Sequence, residues 1–321
     1  MKKLKTITIL QSILILILVF ILAVVFLVKK VHSNKIQTSL DVNEIPSEQT
    51  FSEEEEIFET TSEKIYIHDP KTGKSWVPVL ADVPACQYHP DQFVTRNNLT
   101  YYTENNKIVS KFGIDVSEHD GEIDWATVKK AGVEFAFLRV GYRGYSEGKI
   151  VSDAYLERNI QGALENDIDI GLYFYSQAIT PQEALEEAEF VLSAVGDTKI
   201  TYPIVYDWEF VTTDTARTDD ISPKMLTKCS ITFCERIKQA GYLPMIYQNK
   251  NTSLLNLYLS KLTDYDFWLA EYNSSATYYY NYQIWQYSSS GTVPGIKGEV
   301  DMNICFKDYT NPDKKESDEN A

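Results

Sequence analysis

Hydrophobic and polar positions change period several times along the chain. Ile7 to Val28 carries no charge and only Thr8, Gln11 and Ser12 as polar residues. As a helix it would reach about 33 Å, enough for a hydrocarbon core of about 30 Å, so a transmembrane helix is expected at residues 7–28. A cleaved leader would be shorter and end at small residues, whereas Val28 runs straight into Lys29 and Lys30. Residues 29–63 turn polar and acidic, with the run Glu53 to Glu56, and are expected to form a disordered linker. Residues 64–110 carry short β-type runs: Ile65-Tyr66-Ile67, Trp76-Val77-Pro78-Val79, and Leu99-Thr100-Tyr101-Tyr102 turning through Asn105-Asn106 to Ile108-Val109. So small a β-rich segment can hardly hold its own core, and it should lean on the larger domain C-terminal to it. Its role is not legible.

Residues 111–309 are regular. Apolar runs of strand length fall at Phe112 to Ser117, Phe135 to Tyr142, Ile170 to Ser176, Pro203 to Glu209, Leu243 to Gln248, Phe267 to Tyr272, Tyr282 to Tyr287 and Val300 to Phe306. Amphipathic stretches separate the first six, with N-cap residues expected near Asp124, Ser152, Thr180, Ser222 and Asn251. Gly132, Gly196 and Gly241 stand where helices should stop. Alternating β and α units imply a parallel sheet, and eight strands suffice to close it. The last two connections are too short for helices. The expected fold is therefore α/β: an irregular TIM-like barrel, five βα units followed by three strands, preceded by the transmembrane helix, the linker and the small β segment. Residues 310–321 form a polar tail.

In such a barrel the chemistry collects where strands end. There the chain carries Asp115, Asp207 with Glu209, and Asp301. Residues two apart on a strand share a face, so Asp207 and Glu209 should enter the cavity together. Two carboxyl groups are what glycoside cleavage needs: one protonates the leaving oxygen, the other steadies positive charge at the anomeric carbon. Crowding keeps one of them protonated near neutral pH. Glu209, with the longer reach, is the candidate acid. Arg139 either offsets this negative charge or forms a surface ion pair.

These residues lie in motifs that resemble glycoside hydrolase family 25, the Ch-type lysozymes. The likeness runs through Gly113-Ile114-Asp115-Val116-Ser117, Gly121-Glu122-Ile123-Asp124-Trp125, Tyr206-Asp207-Trp208-Glu209, Pro244-Met245-Ile246-Tyr247, Trp268-Leu269-Ala270-Glu271-Tyr272, Trp285-Gln286-Tyr287 and Val300-Asp301-Met302-Asn303. The resemblance implies an N-acetylmuramidase that cuts the β-1,4 bond between N-acetylmuramic acid and N-acetylglucosamine in bacterial peptidoglycan. It implies Glu209 as general acid, Asp207 as the group that orients the N-acetyl or steadies charge, Asp115 and Asp301 as positioning and sugar-binding groups, and retention of configuration. The chain departs from the family at Asp120, where relatives usually carry Gln. Tyr173, Tyr175, Tyr247, Trp268 and Tyr272 are the aromatic candidates for sugar binding, and Tyr278-Tyr279-Tyr280 is expected in a rim loop.

The chain has 30 Lys and Arg against 46 Asp and Glu, a formal charge of −16, and no basic groove, which argues against a nucleic-acid partner. Gly144-Tyr145-Ser146-Glu147-Gly148 matches a nucleophile elbow, but no His follows His119 in the chain. The four His and four Cys have no metal-site spacing, so no metal or other cofactor is expected, and the cysteines should be buried thiols. The expected partners are peptidoglycan glycan strands and, through residues 7–28, a lipid bilayer; protein partners are not legible. Because peptidoglycan lies outside the bacterial cytoplasmic membrane, residues 1–6 should be cytoplasmic and the barrel on the wall side. The rival reading is a catalytically weak or inactive peptidoglycan-binding scaffold with the same barrel.

Overall fold

The computed structural model of the protein describes residues 58–69 and 73–310. The expected span at Ile7 to Val28, nearly all of the linker and the tail beyond Thr310 lie outside the described residues. Among the described residues, no helix is long and apolar enough to cross a membrane.

Two β pieces precede the barrel. The first is an antiparallel hairpin of β1 (Thr60–Asp69) and β2 (Gly73–Leu80). Its strand begins at Thr60, within the segment expected to be linker, because Thr60 already pairs with Leu80. The second is a three-stranded sheet of β3 (Phe93–Arg96), β4 (Leu99–Glu104) and β5 (Lys107–Ile108). Asn105 and Asn106, at φ 50° and 62°, make the tight turn between β4 and β5.

The barrel continues the chain as β6 (Lys111–Val116), α1 (Trp125–Lys130), β7 (Phe135–Arg143), β8 (Ile150–Ser152), α2 (Leu156–Glu165), β9 (Asp169–Ser176), α3 (Pro181–Val195), β10 (Ile204–Trp208), α4 (Pro223–Gln239), β11 (Pro244–Asn249), α5 (Lys250–Asn256), β12 (Asp266–Ala270), β13 (Ile284–Gly291) and β14 (Val300–Cys305). The strand order is β6-β14-β13-β12-β11-β10-β9-β7, closed by β6 pairing with β7, while β8 folds back on β7 as an extra antiparallel strand. Five βα units and then three strands stand as expected, with one change of direction. β14 runs antiparallel to both β13 and β6. Residues 292–299 between β13 and β14 are too few for a parallel crossover, so the chain returns in the opposite sense, whereas the longer helix-free connection of residues 271–283 still leaves β12 and β13 parallel.

Asp124, Thr180 and Ser222 cap their helices as expected, each accepting a backbone N–H with its side chain. Ser152 does not: β7 continues into the β8 hairpin, so Ser152 ends a strand and α2 starts at Leu156. Asn251 lies inside α5, whose cap is Asn249, bonded to the Thr252 N–H.

Inside the barrel, Phe135, Phe137, Tyr202, Met245, Trp268 and Ile284 form one apolar cluster. Gly113 is required here, because a Cβ at that position would sit 2.4 Å from the Phe135 ring. Outside the strands a second core faces the helices, and Ile65, Ile67 and Val79 of the hairpin belong to it. The N-terminal β pieces pack on the later strands and their helix-free connections. Leu80 N–H donates to Tyr280 Oη (2.8 Å), Phe93 meets Trp285 at 5.0 Å between ring centroids, and Tyr88 stacks on Phe306 at 3.9 Å. Tyr278 and Tyr280 are buried in this contact, Tyr278 stacked on Phe267 at the start of β12, so the Tyr triplet is a packing element and not a rim loop.

Candidate functional site

At the end of the barrel where the parallel strands finish lies a cavity of about 330 Å³ whose lining includes Asp115, Asp207, Glu209 and Asp301. Asp115 is the next-to-last residue of β6, and Asp301 is its direct cross-strand partner on β14. The reversal of β14 makes this possible: in a strand running the other way, its second residue would sit at the opposite end of the barrel. Asp207 on β10 is in register with Tyr175 on β9 and Tyr247 on β11, so all three turn inward. Between the two acids, Trp208 faces the helices, fully buried, with its indole N–H donating to the Ala178 carbonyl (3.2 Å). The backbone here is pinned by amide side chains. Gln248 donates to the Trp208 carbonyl, and Gln177 to the Glu209 carbonyl at 2.6 Å.

Asp115 is buried and bound by two side-chain amides. Gln286 Nε2 donates to both its oxygens (2.9 and 3.1 Å), and Asn303 Nδ2 to Oδ1 (2.6 Å). Each amide is oriented in turn. Trp268 Nε1 donates to Asn303 Oδ1 at 2.8 Å, and the Tyr247 and Tyr272 hydroxyls each donate to Gln286 Oε1 at 2.9 Å. Gln286 and Asn303 lie in the sequence motifs, but the sequence alone did not reveal this task. A signal for it exists: an Asn or Gln two residues along from an apolar inward position shares its face.

The four acids form two hydrogen-bonded pairs, Asp115 with Asp301 and Asp207 with Glu209. Burial, reinforced by the charge of Asp301, pushes the Asp115 carboxyl well up, and burial pushes Asp301 up to about 6. Burial and then the charges of Glu209 and Asp115 raise Asp207. Burial and then the charge of Asp301 raise Glu209 to about 7, although the bond to Asp207 holds it back. Each pair therefore retains a proton at pH values where isolated carboxyls have lost theirs. Asp207 Oδ1 is buried without a hydrogen-bond partner, an unmet acceptor on a residue that lines the cavity.

Arg139 also lines the cavity. It is buried, not a surface ion pair, with Nε donating to Asp153 Oδ2 (2.8 Å) and its other arm to Glu118 Oε1 (3.2 Å). Its positive charge draws Asp207 down against the other influences. Sequence reasoning missed Asp153 and Glu118, because the β8 hairpin that brings Asp153 under Arg139 carries the residue pattern of a helix start. Asp120 accepts the Ser117 N–H at 2.8 Å and caps the turn Glu118–Asp120 while facing the same cavity; burial raises its carboxyl.

Of the aromatic candidates, Tyr173, Tyr175, Tyr247 and Trp268 line the cavity. Trp268 is only 1% exposed and stacks on Phe137 at 4.5 Å, so it is the floor that carries Asn303 and offers little surface to a sugar. Tyr272 is outside the cavity lining and 53% exposed, a rim residue tied inward through its hydroxyl. Among the described residues no cluster of His, Cys, Asp and Glu is arranged to hold a metal, and all four cysteines are free thiols, Cys86 half-buried and the others buried.

The family model of the Glycosyl hydrolases family 25 matches residues 114–296, which span the strands bearing Asp115, Asp207 and Glu209. The chain belongs to this family. Its barrel is a glycoside hydrolase domain of the lysozyme type. The chain is similar to the uncharacterized protein YegX of Escherichia coli O6:H1, 30% identical over 205 residues that cover 60% of this chain and 68% of the relative. The autolytic lysozyme of Clostridium acetobutylicum is 28% identical over 192 residues, 60% of this chain and 54% of that protein. Among solved structures, the modular autolysin LytC from Streptococcus pneumoniae in complex with a synthetic peptidoglycan ligand matches with TM-score 0.55 and 26% identity. That match covers 76% of this chain and 57% of the LytC chain.

Proposed function

We propose that the chain is a peptidoglycan hydrolase that cuts the β-1,4 bond between N-acetylmuramic acid and N-acetylglucosamine. The observation that carries this reading is the convergence of four carboxyl groups, as two proton-sharing pairs, on one sugar-sized cleft. Glu209, raised to about 7, still carries its proton in a large share of the molecules at neutral pH and delivers it to the glycosidic oxygen as the bond to the anomeric carbon breaks. The acetamido oxygen of the same sugar closes onto that carbon, and Asp207, whose Oδ1 lacks a hydrogen-bond partner, accepts from the acetamido N–H and steadies the charge. Water then opens the ring, giving its proton to the Glu209 carboxylate, and the configuration is retained. Asp115, locked by Gln286 and Asn303, and its partner Asp301 hold sugar hydroxyls.

Membrane anchoring through residues 7–28, with residues 1–6 cytoplasmic and the barrel on the wall side, completes the proposal and makes remodelling of the cell wall the expected role. Protease added to intact protoplasts should digest the barrel; its protection would reverse that orientation.

The full chain incubated with purified peptidoglycan, with borohydride reduction of the products, tests the bond. N-acetylmuramitol is the expected new end. N-acetylglucosaminitol would overturn the assignment of the bond. No new ends would favour a peptidoglycan-binding scaffold without turnover. Proton NMR of the first anomer released tests retention, which an α product would refute.

A further inference from the structure

The β1–β2 hairpin buries one face and offers the other to water. Ile65, Ile67 and Val79 point to the core. The opposite face, set by the period of two, carries Lys64, Tyr66 and His68 on β1 and Lys74 and Trp76 on β2, all exposed. Trp76 is 62% exposed, and Tyr66, directly across the ladder from it, 43%. Their rings meet edge to face at 5.2 Å between centroids. Cross-strand neighbours touch in any hairpin, which explains the contact. It does not explain why the largest apolar side chain available faces solvent beside two lysines in a chain of net charge −16.

The position of the hairpin adds a second observation. Asn251, near the start of α5, donates its side-chain N–H to the His68 carbonyl at 3.0 Å. α5 begins directly after β11, the strand that carries Tyr247 into the cleft. The end of the hairpin is therefore fastened at the mouth end of the barrel, with its aromatic face outward.

We propose that this face is a second glycan-binding surface for an anionic polysaccharide, on which Trp76 and Tyr66 pack against sugar rings and Lys64 and Lys74 meet carboxylates. The polymer is the one named for the cleft, whose stem peptides carry carboxylates, so this inference rests on that reading for its ligand but not on turnover. Indole and phenol rings present flat apolar faces edged with polar atoms, and the axial hydrogens of a pyranose present a matching apolar face. Lysines close by supply charge complementarity without fixing geometry. A long polymer held at two places on one molecule dissociates more slowly than one held at the cleft alone.

The test uses the full chain carrying Glu209→Gln, so that the polymer is bound and not consumed, with purified insoluble peptidoglycan in a sedimentation assay. Adding Trp76→Ala should weaken binding about tenfold, and adding Lys74→Glu should weaken it and remove most of its salt dependence. In the otherwise native chain, Trp76→Ala should leave hydrolysis of a short soluble muropeptide oligomer unchanged. Equal binding with and without Trp76 overturns the proposal whatever the outcome for hydrolysis. So does an effect of Trp76→Ala on adsorption to anionic phosphatidylglycerol vesicles with none on peptidoglycan, which would make the face a lipid contact. Loss of hydrolysis in Glu209→Gln with full retention of Trp76-dependent binding separates the two sites.

Discussion

Replacing Glu209 by Gln should make the folded protein more stable at neutral and alkaline pH even as it removes the proposed acid. Glu209 is buried and faces the charge of Asp301, and Arg139, which lines the same cavity, is already committed to Asp153 at 2.8 Å and Glu118 at 3.2 Å. The folded protein holds the Glu209 proton up to about pH 7, against an ordinary value of 4.5. At about 1.4 kcal/mol for each tenfold change in proton affinity, ionising it in place costs about 3 kcal/mol of stability. The sign depends on which state binds the proton more tightly. Below about 4.5 both states are protonated and the favourable proton binding of the folded state is fully present; it is lost as pH rises through about 7. Gln does not ionise. The difference between variant and parent in urea unfolding of the full chain should therefore be near zero at pH 4 and grow to about 3 kcal/mol in favour of the variant at pH 8. Equal stabilities at pH 8, or a difference that is the same at both pH values, would refute the claim that Glu209 sits in a site that resists its charge.

Other substitutions test other parts of the site. Asn303→Ala removes the 2.6 Å donor from Asp115 and frees the Trp268 N–H; kcat/KM should fall at least about tenfold for a stability loss of about 1–3 kcal/mol, and unchanged kinetics would show that Asp115 needs only Gln286. Arg139→Gln leaves the buried Asp153 carboxylate without its cation, so unfolding free energy should drop by about 3–5 kcal/mol, whereas a loss under about 1 kcal/mol would mean the pair is effectively solvated. Gly113→Ala drives a methyl to 2.4 Å from the Phe135 ring, and a destabilisation of about 1–3 kcal/mol in urea unfolding is expected; a neutral result would mean that the barrel floor yields.

Much of the barrel was legible because its strands are continuous apolar runs punctuated by strong caps. Thr180-Pro181 and Ser222-Pro223 each start a helix where the sequence places them, since the hydroxyl caps a free N–H and Pro at the first position has no N–H to satisfy and a preset φ. That Asp115, Asp207, Glu209 and Asp301 would share one cavity was legible because carboxylates at the ends of apolar barrel strands converge at one mouth. What escaped was whatever depends on direction or on distant partners. The reversal of β14 had a signal in the short connection before it, but only strand pairing shows that it puts Asp301 opposite Asp115. Ser152 carries the residue type of a cap, but pairing of Gly141 with Ser152 keeps it in a strand, and the Asp153 beneath Arg139 was lost with it. The role of residues 64–110 required knowing which flank of the barrel lacks helices. Tyr278 and Tyr280, expected at a rim, are the contact through which that flank is covered.

The central claim is that Glu209 acts as the acid within a cluster of paired carboxyls, and the dependence of kcat/KM on pH tests it most directly. With purified peptidoglycan as substrate, the parent should lose activity as pH rises through about 7, where Glu209 gives up its proton. Glu209→Gln should lower kcat/KM by about a hundredfold to ten-thousandfold and show no such limb. A variant that cleaves within about threefold of the parent, or keeps the same descending limb, would contradict the account.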